Sequence, residues 1–327
     1  MGELADRRAQ TASRIQQLRS RLAAAAKLAA DKACVYMTGS FGRCEASSYS
    51  DLDLFILGKS NGGNKSLLSR LDGICIMADL IRTNRELKIP EFSGDGRYLV
   101  HYSAYDLVTT LGEPEDDVTN TFTARLLLLL ESRALLEENV HREAVTAVIK
   151  AYWRDFEDHE ADFMPAFLAN DILRLWRAFC VNYEARTERM PALEKAKGKV
   201  GNYKLKHSRL LTCYSAILYL LSVHGQKGTV RPEDALSMIE LTPTERLECL
   251  CAQPLPPDAS NVLRKLLTQY ERFLETNNVP ENDLIAIFMK KRSSNRYMKA
   301  AYEFGDLMFQ AMREIGRGSR FHRLLVV

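Results

Sequence analysis

The sequence predicts an α+β fold in two parts, a small α/β domain over residues 1–115 and an all-α domain over residues 116–327. Two observations carry that expectation. Short apolar runs of strand length, Val35-Tyr36-Met37, Leu54–Leu57 and the stretch near Tyr98–Tyr102, all lie before residue 115 and are separated by Gly-, Ser- and Asn-containing turns. Beyond residue 115 turn residues become scarce and apolar positions recur every three to four residues.

The elements follow in order. Residues 5–30 read as a leading helix; the run Ala23–Ala26 is flanked by Arg19, Arg21, Lys27, Asp31 and Lys32, a charge pattern of an amphipathic helix and not of a secretory signal. A strand ending at Met37 enters the turn Gly39-Ser40-Phe41-Gly42-Arg43, and a second strand runs from Asp51 to Leu57. The loop Ser60–Lys65, a helix over 66–84 and a strand near Tyr98–Tyr102 complete the first part. The second part opens with a helix from Asn120 through Leu126–Leu130 to Arg133; five consecutive leucines make it apolar all round, so it is expected to lie buried between the two halves. Further helices are expected over 141–158, 164–187, 203–224, 232–239, 243–252, 258–277 and 296–315, with breaks at Pro191, Pro232, Pro254–Pro257 and Pro280.

Composition excludes several classes of function. The 327 residues carry a net charge of only +3, too little for a general nucleic-acid binder. Seven cysteines without CxxC pairs suit reduced thiols in a cytoplasmic protein, and no apolar run approaches the roughly 20 residues of a membrane span. The six histidines show no zinc-ligand spacing and no Walker loop is present.

The chemistry is concentrated in residues 39–57. Gly39 and Gly42 permit a tight turn whose backbone N–H groups approach phosphate oxygens closely, and Ser40 adds a hydroxyl. On a strand, residues two apart share a face, so Asp51 and Asp53 project together. Their mutual repulsion is relieved by a cation between them, and Mg²⁺ (or Mn²⁺) is the hard ion that prefers carboxylate and phosphate oxygens.

Glycine-serine turn, spacer and Asp-x-Asp strand resemble the DNA polymerase β-type nucleotidyltransferase superfamily over residues 30–115. The fuller pattern from Gly39 through Arg43-Cys44-Glu45 and Ser50 to Asp53 is similar to PII uridylyltransferases and DUF294-type proteins. The resemblance implies transfer of NMP from an NTP, such as ATP, to an acceptor hydroxyl with release of pyrophosphate. Asp51 and Asp53 would bind the metal ions, Gly39, Ser40 and Arg43 the nucleotide, and the helical domain would close the nucleotide cleft and contribute to acceptor binding.

The superfamily's chemistry calls for a third carboxylate. Asp79, Glu86, Glu91, Asp95 and Asp106 are the candidates; Asp95, between two glycines and just before an apolar strand, is preferred, with Glu91 second. In the helical part, Asp171, Arg174 and Arg177, or Asn170, Arg174 and Arg177, share a helix face. From Arg186 to Arg209 eight Lys or Arg stand against two glutamates; here Lys204 or Lys206 suits a triphosphate contact, and a flexible basic linker is the alternative. A second basic cluster, Lys290–Arg292 with Arg296 and Lys299, suits an acidic acceptor or a plain solvated surface. The acceptor, whether a protein, an RNA end or a small molecule, is not specified, and a homo-oligomer is left open. A catalytically silent NTP-binding or scaffolding module is the alternative reading.

Overall fold

The computed structural model describes residues 2–62, 65–92, 96, 99–185 and 191–326. It is a mixed α+β structure, mostly helical, with one four-stranded sheet among the described residues. The chain forms two compact units, Met1–Arg154 and Asp155–Val327.

The first unit contains α1 (Glu3–Arg21), α2 (Ala23–Ala29), β1 (Ala33–Thr38), α3 (Gly39–Gly42), β2 (Asp53–Gly58) and α4 (Arg70–Glu86). It continues with β3 (His101–Ser103), α5 (Ala104–Thr109), α6 (Glu115–Val118), α7 (Thr121–Glu131), β4 (Arg133–Leu136) and α8 (Glu138–Tyr152). The sheet order is β3-β2-β1-β4; β1 runs antiparallel to both neighbours, and β3 lies parallel to β2. Residues alternate between two covered faces. Val35, Met37, Leu52, Leu54 and Ile56 join one core with Leu18, Leu22 and Ala25 of the N-terminal segment and with Ile76 and Leu80 of α4. Tyr36 and Phe55 stack on the opposite face, 5.2 Å between ring centroids, beneath α7 and α8. Burying both faces is why β1 and β2 read as continuous apolar runs.

Three expectations are corrected here. The leading helix is two helices, divided at Leu22. The five leucines are buried, as the composition demands, and their helix belongs to the first unit, where it packs against β1, α5, α6 and α8. It ends at Glu131, and the next residues form an unexpected strand, β4, at the edge beside β1.

The second unit is helical among its described residues. It comprises α9 (Ala166–Ala185), α10 (Ala192–Lys204), a π-helical turn (Leu205–Arg209), α11 (Leu210–Lys227), α12 (Pro232–Glu240), α13 (Pro243–Cys251), α14 (Pro257–Thr276), α15 (Glu281–Met289), α16 (Lys291–Ile315) and α17 (Arg320–Leu324). Prolines stand at the first position of α12, α13 and α14, where the missing N–H is harmless. The basic segment from 192 onward is helix α10 and not a linker, and α15 was not expected at all. An aromatic cluster fills this unit: Tyr203, His207, Phe273, Phe288, Tyr297 and Phe304 lie within 4.5–5.6 Å of one another through their ring contacts. Among the described residues no helix is long and apolar enough to cross a membrane, and all seven cysteines are free thiols.

Candidate active site

The antiparallel register of β1 and β2 sets Thr38, the last residue of one strand, opposite Asp53, the first of the other. The chain leaves β1 at that point into the single helical turn α3. Gly39 has φ +63°, a backbone conformation that costs glycine nothing and other residues a steric penalty. A Cβ added there would stand 2.3 Å from Asp53 Oδ2, so the turn and the carboxylate are packed directly against each other. At the far end of the turn, a Cβ on Gly42 would stand 1.9 Å from the backbone carbonyl oxygen of Glu131. Gly42 is therefore required by backbone packing and Gly39 by its positive φ, before any ligand is considered.

Asp53, Phe55 and Leu57 occupy one face of β2, and Asp53 lies at its open end, half-buried. Asp51 is also half-buried, two residues before the strand, with Leu52 buried between the two acids. The Thr38 hydroxyl, across from Asp53, is buried and has no hydrogen-bond partner among the described residues. A buried polar atom of this kind is uncommon and marks a polar set that the protein has not closed by itself. Asp53 across from it and Asp51 two residues earlier in the chain carry hard oxygen donors of the type that Mg²⁺ or Mn²⁺ prefers.

Behind the turn lies a buried ionic cluster. Glu131, at the end of α7, accepts the Gly39 amide N–H through Oε1 at 3.0 Å and Arg43 Nη1 through Oε2 at 2.9 Å. Arg43 also donates from Nε to Glu45 Oε2 at 2.9 Å. Helix α1 holds the following loop: Arg7 donates to the Glu45 carbonyl at 3.1 Å, Thr11 Oγ1 accepts the Ala46 N–H at 2.9 Å, and Arg14 donates to the Ser47 carbonyl while lying over the Phe41 ring.

These contacts reassign part of the expected site. Gly39 is brought against Asp53 where β1 and β2 meet, and Ser40 follows it in the turn; Asp51, expected on the same strand as Asp53, lies before that strand, which begins only at Asp53. Arg43, expected at the nucleotide, is buried with its guanidinium on Glu45 and Glu131. The Gly39 amide, expected at the phosphates, is engaged by Glu131, whereas Ser40 is half-exposed. Asp95 lies outside the described residues. Glu91 is exposed and pairs with Arg85 at 3.3 Å; Asp79 and Glu86 pair with Arg82 and Arg21. Among the described residues no group of three His, Cys, Asp or Glu side chains is gathered for a metal.

In the second unit, Lys204 is exposed on α10, and Lys206 places its ammonium 4.7 Å from the centroid of the Tyr302 ring. Asp171 is largely buried and Arg174 lies 3.9 Å from it. Arg186 and Arg189 lie outside the described residues.

Sequence reasoning missed Glu131 and the supports from α1. A signal for Glu131 was present: an acid directly after five buried leucines is a charge that must find a partner. No protein-family model matches the chain, and no curated protein matches it.

Proposed function

We propose that the chain is a metal-dependent nucleotidyltransferase of the DNA polymerase β type, moving NMP from an NTP to an acceptor hydroxyl and releasing pyrophosphate. The observation that carries the reading is the Gly39 turn packed against the Asp53 carboxylate, at the open end of a strand pair where Asp51 and the unpartnered Thr38 hydroxyl also lie. The spacing of the Gly-Ser turn and the Asp-x-Asp pair in the sequence supports it independently. Asp51 and Asp53 would hold Mg²⁺ or Mn²⁺, which when bound neutralises triphosphate charge and lowers the pKa of the attacking hydroxyl.

The chain's own groups then act mainly by placement. Ser40, half-exposed in the turn, is proposed to offer its hydroxyl to a phosphate oxygen, since the Gly39 N–H is already taken by Glu131. Asp95 is proposed as the third carboxylate. Lys204, exposed on α10, is proposed as a phosphate contact, and Lys206 is a weaker choice because its ammonium already faces Tyr302. The acceptor class is a protein, an RNA end or a small molecule.

Incubation with each α-labelled NTP and Mg²⁺ or Mn²⁺ in cell lysate tests the reading. Label transfer with pyrophosphate release is the expected result, abolished in Asp51→Asn and Asp53→Asn. Full pyrophosphate release by either variant would sink the assignment, and NTP binding without release would favour a silent nucleotide-binding module.

A further inference from the structure

We propose that Glu131 is a positioning residue for triphosphate binding, the group that keeps the Gly39–Gly42 turn seated against Asp53. The inference rests on the nucleotidyltransferase reading above. Glu131 grips the turn at three places: Oε1 takes the Gly39 N–H, Oε2 takes Arg43 just beyond the turn, and its backbone carbonyl packs against Gly42. Asp53 stands on the other side of the same turn, against Gly39. The turn is thus clamped between a carboxylate that faces the site and one that is fully buried behind it.

Glu131 is not itself a metal ligand in this arrangement. Its side chain is 0 % exposed and both oxygens point to donors of the turn. Its effect must pass through the backbone it holds. A buried Gly39 N–H without its acceptor is relieved only if the turn shifts, and any shift changes the spacing between Ser40 and Asp53. In the proposed site the turn would contact the triphosphate in the ground and transition states alike, so its displacement should weaken binding more than the chemical step.

The test uses the full chain. Glu131→Gln offers one acceptor where Glu131 uses two, and Glu131→Asp keeps the charge but is a methylene too short to reach both donors. Binding of the Mg²⁺ complexes of α,β-methylene NTP analogues is measured by calorimetry, with KM and kcat from pyrophosphate release and the Gly39 amide resonance from NMR. Each variant is expected to weaken analogue binding and raise the NTP KM about tenfold, with kcat within about threefold, and to shift the Gly39 amide from its carboxylate-bonded position. Asp116→Asn, which breaks a buried ion pair elsewhere in the same unit, is the control and should leave Kd and KM unchanged. Wild-type Kd in both Glu131 variants, or equal weakening in Asp116→Asn, overturns the proposal. If the wild-type protein binds none of the analogues, the nucleotidyltransferase reading falls and this inference falls with it; wild-type binding with unaffected variants removes the inference alone.

Discussion

Arg43 and Arg125 lie in the same unit, both buried and both bound to carboxylates, yet their surroundings differ in one respect. Arg125 sits in a closed set: Asp116 takes two of its nitrogens, the Leu107 carbonyl and the Tyr152 hydroxyl take further bonds, and the Thr110 and Thr121 hydroxyls bond to Asp116. Burial opposes the charge of Arg125, but the bonds to Asp116 and Tyr152 outweigh that opposition and hold its pKa above the ordinary value. Arg43 sits in a set that continues, through Glu131 and the Gly39 amide, into a turn resting on a half-buried carboxylate. Identical chemistry therefore serves cohesion in one place and placement in the other.

The sharpest way to break this comparison is to remove one acid from each region. Asp53→Asn is expected to lower turnover by about 10³-fold or more, equivalent to about 4 kcal/mol in the barrier, with thermal stability nearly unchanged. Asp116→Asn is expected to do the reverse. Leaving Arg125 buried without its partner should cost about 3 kcal/mol of folding stability, measured by urea unfolding, while kcat per folded molecule stays at the wild-type value. Loss of turnover in the second variant, or of stability alone in the first, would erase the distinction.

Acid should act through the buried histidines. Ser132, next to Glu131, gives its proton to the Leu128 carbonyl at 2.6 Å, so its oxygen accepts from His141 Nε2–H at 2.8 Å, which places a proton on that nitrogen. Burial pushes the His141 pKa down to about 4, and His207 in the second unit is pushed down to about 4 for the same reason. A histidine with a folded pKa below its unfolded value of 6.5 stabilises fully above 6.5, and that stability is lost as pH falls from 6.5 to about 4. The loss should approach about 3 kcal/mol for each histidine. Denaturant unfolding between pH 7 and 4 measures it, and His141→Gln should remove about half of the dependence; a flat profile would contradict the burial argument.

A smaller effect is expected at the back of the turn. Gly42→Ala drives a methyl onto the backbone oxygens of Glu131 and Met37, at 1.9 and 2.8 Å, which cannot move aside as a flexible side chain would. A cost of about 2 kcal/mol is expected, accompanied by weaker NTP binding. Unchanged binding in a folded Gly42→Ala protein would separate the turn from the site and weaken the contrast with Arg125.

Much of the first unit was legible in the sequence. The strands around Val35–Met37 and Asp53–Leu57 are marked by apolar runs, and glycine at a turn requiring positive φ marks itself. Other elements were concealed by their own composition. The strand Arg133–Leu136 continues the leucine-rich pattern of α7 and reads as more helix, although Ser132 turns extended and starts it. Helix α10 contains two glycines and four lysines, a composition that suits a linker; its buried Ala196, Val200 and Tyr203 reveal its packed face. Helix α15 is short and follows Pro280 closely, which left too few residues to show a period.

Alone, the sequence determined the strand-turn-strand and the acid Asp53 that begins its second strand, because apolar strand runs and glycine's freedom at positive φ are properties of a few neighbouring residues. Only the tertiary structure decided what the glycines and Arg43 are for. The partner that explains them, Glu131, lies 92 residues from Gly39 and 88 from Arg43, and a buried charge chooses its partner by what the fold brings within about 3 Å, which no local pattern records.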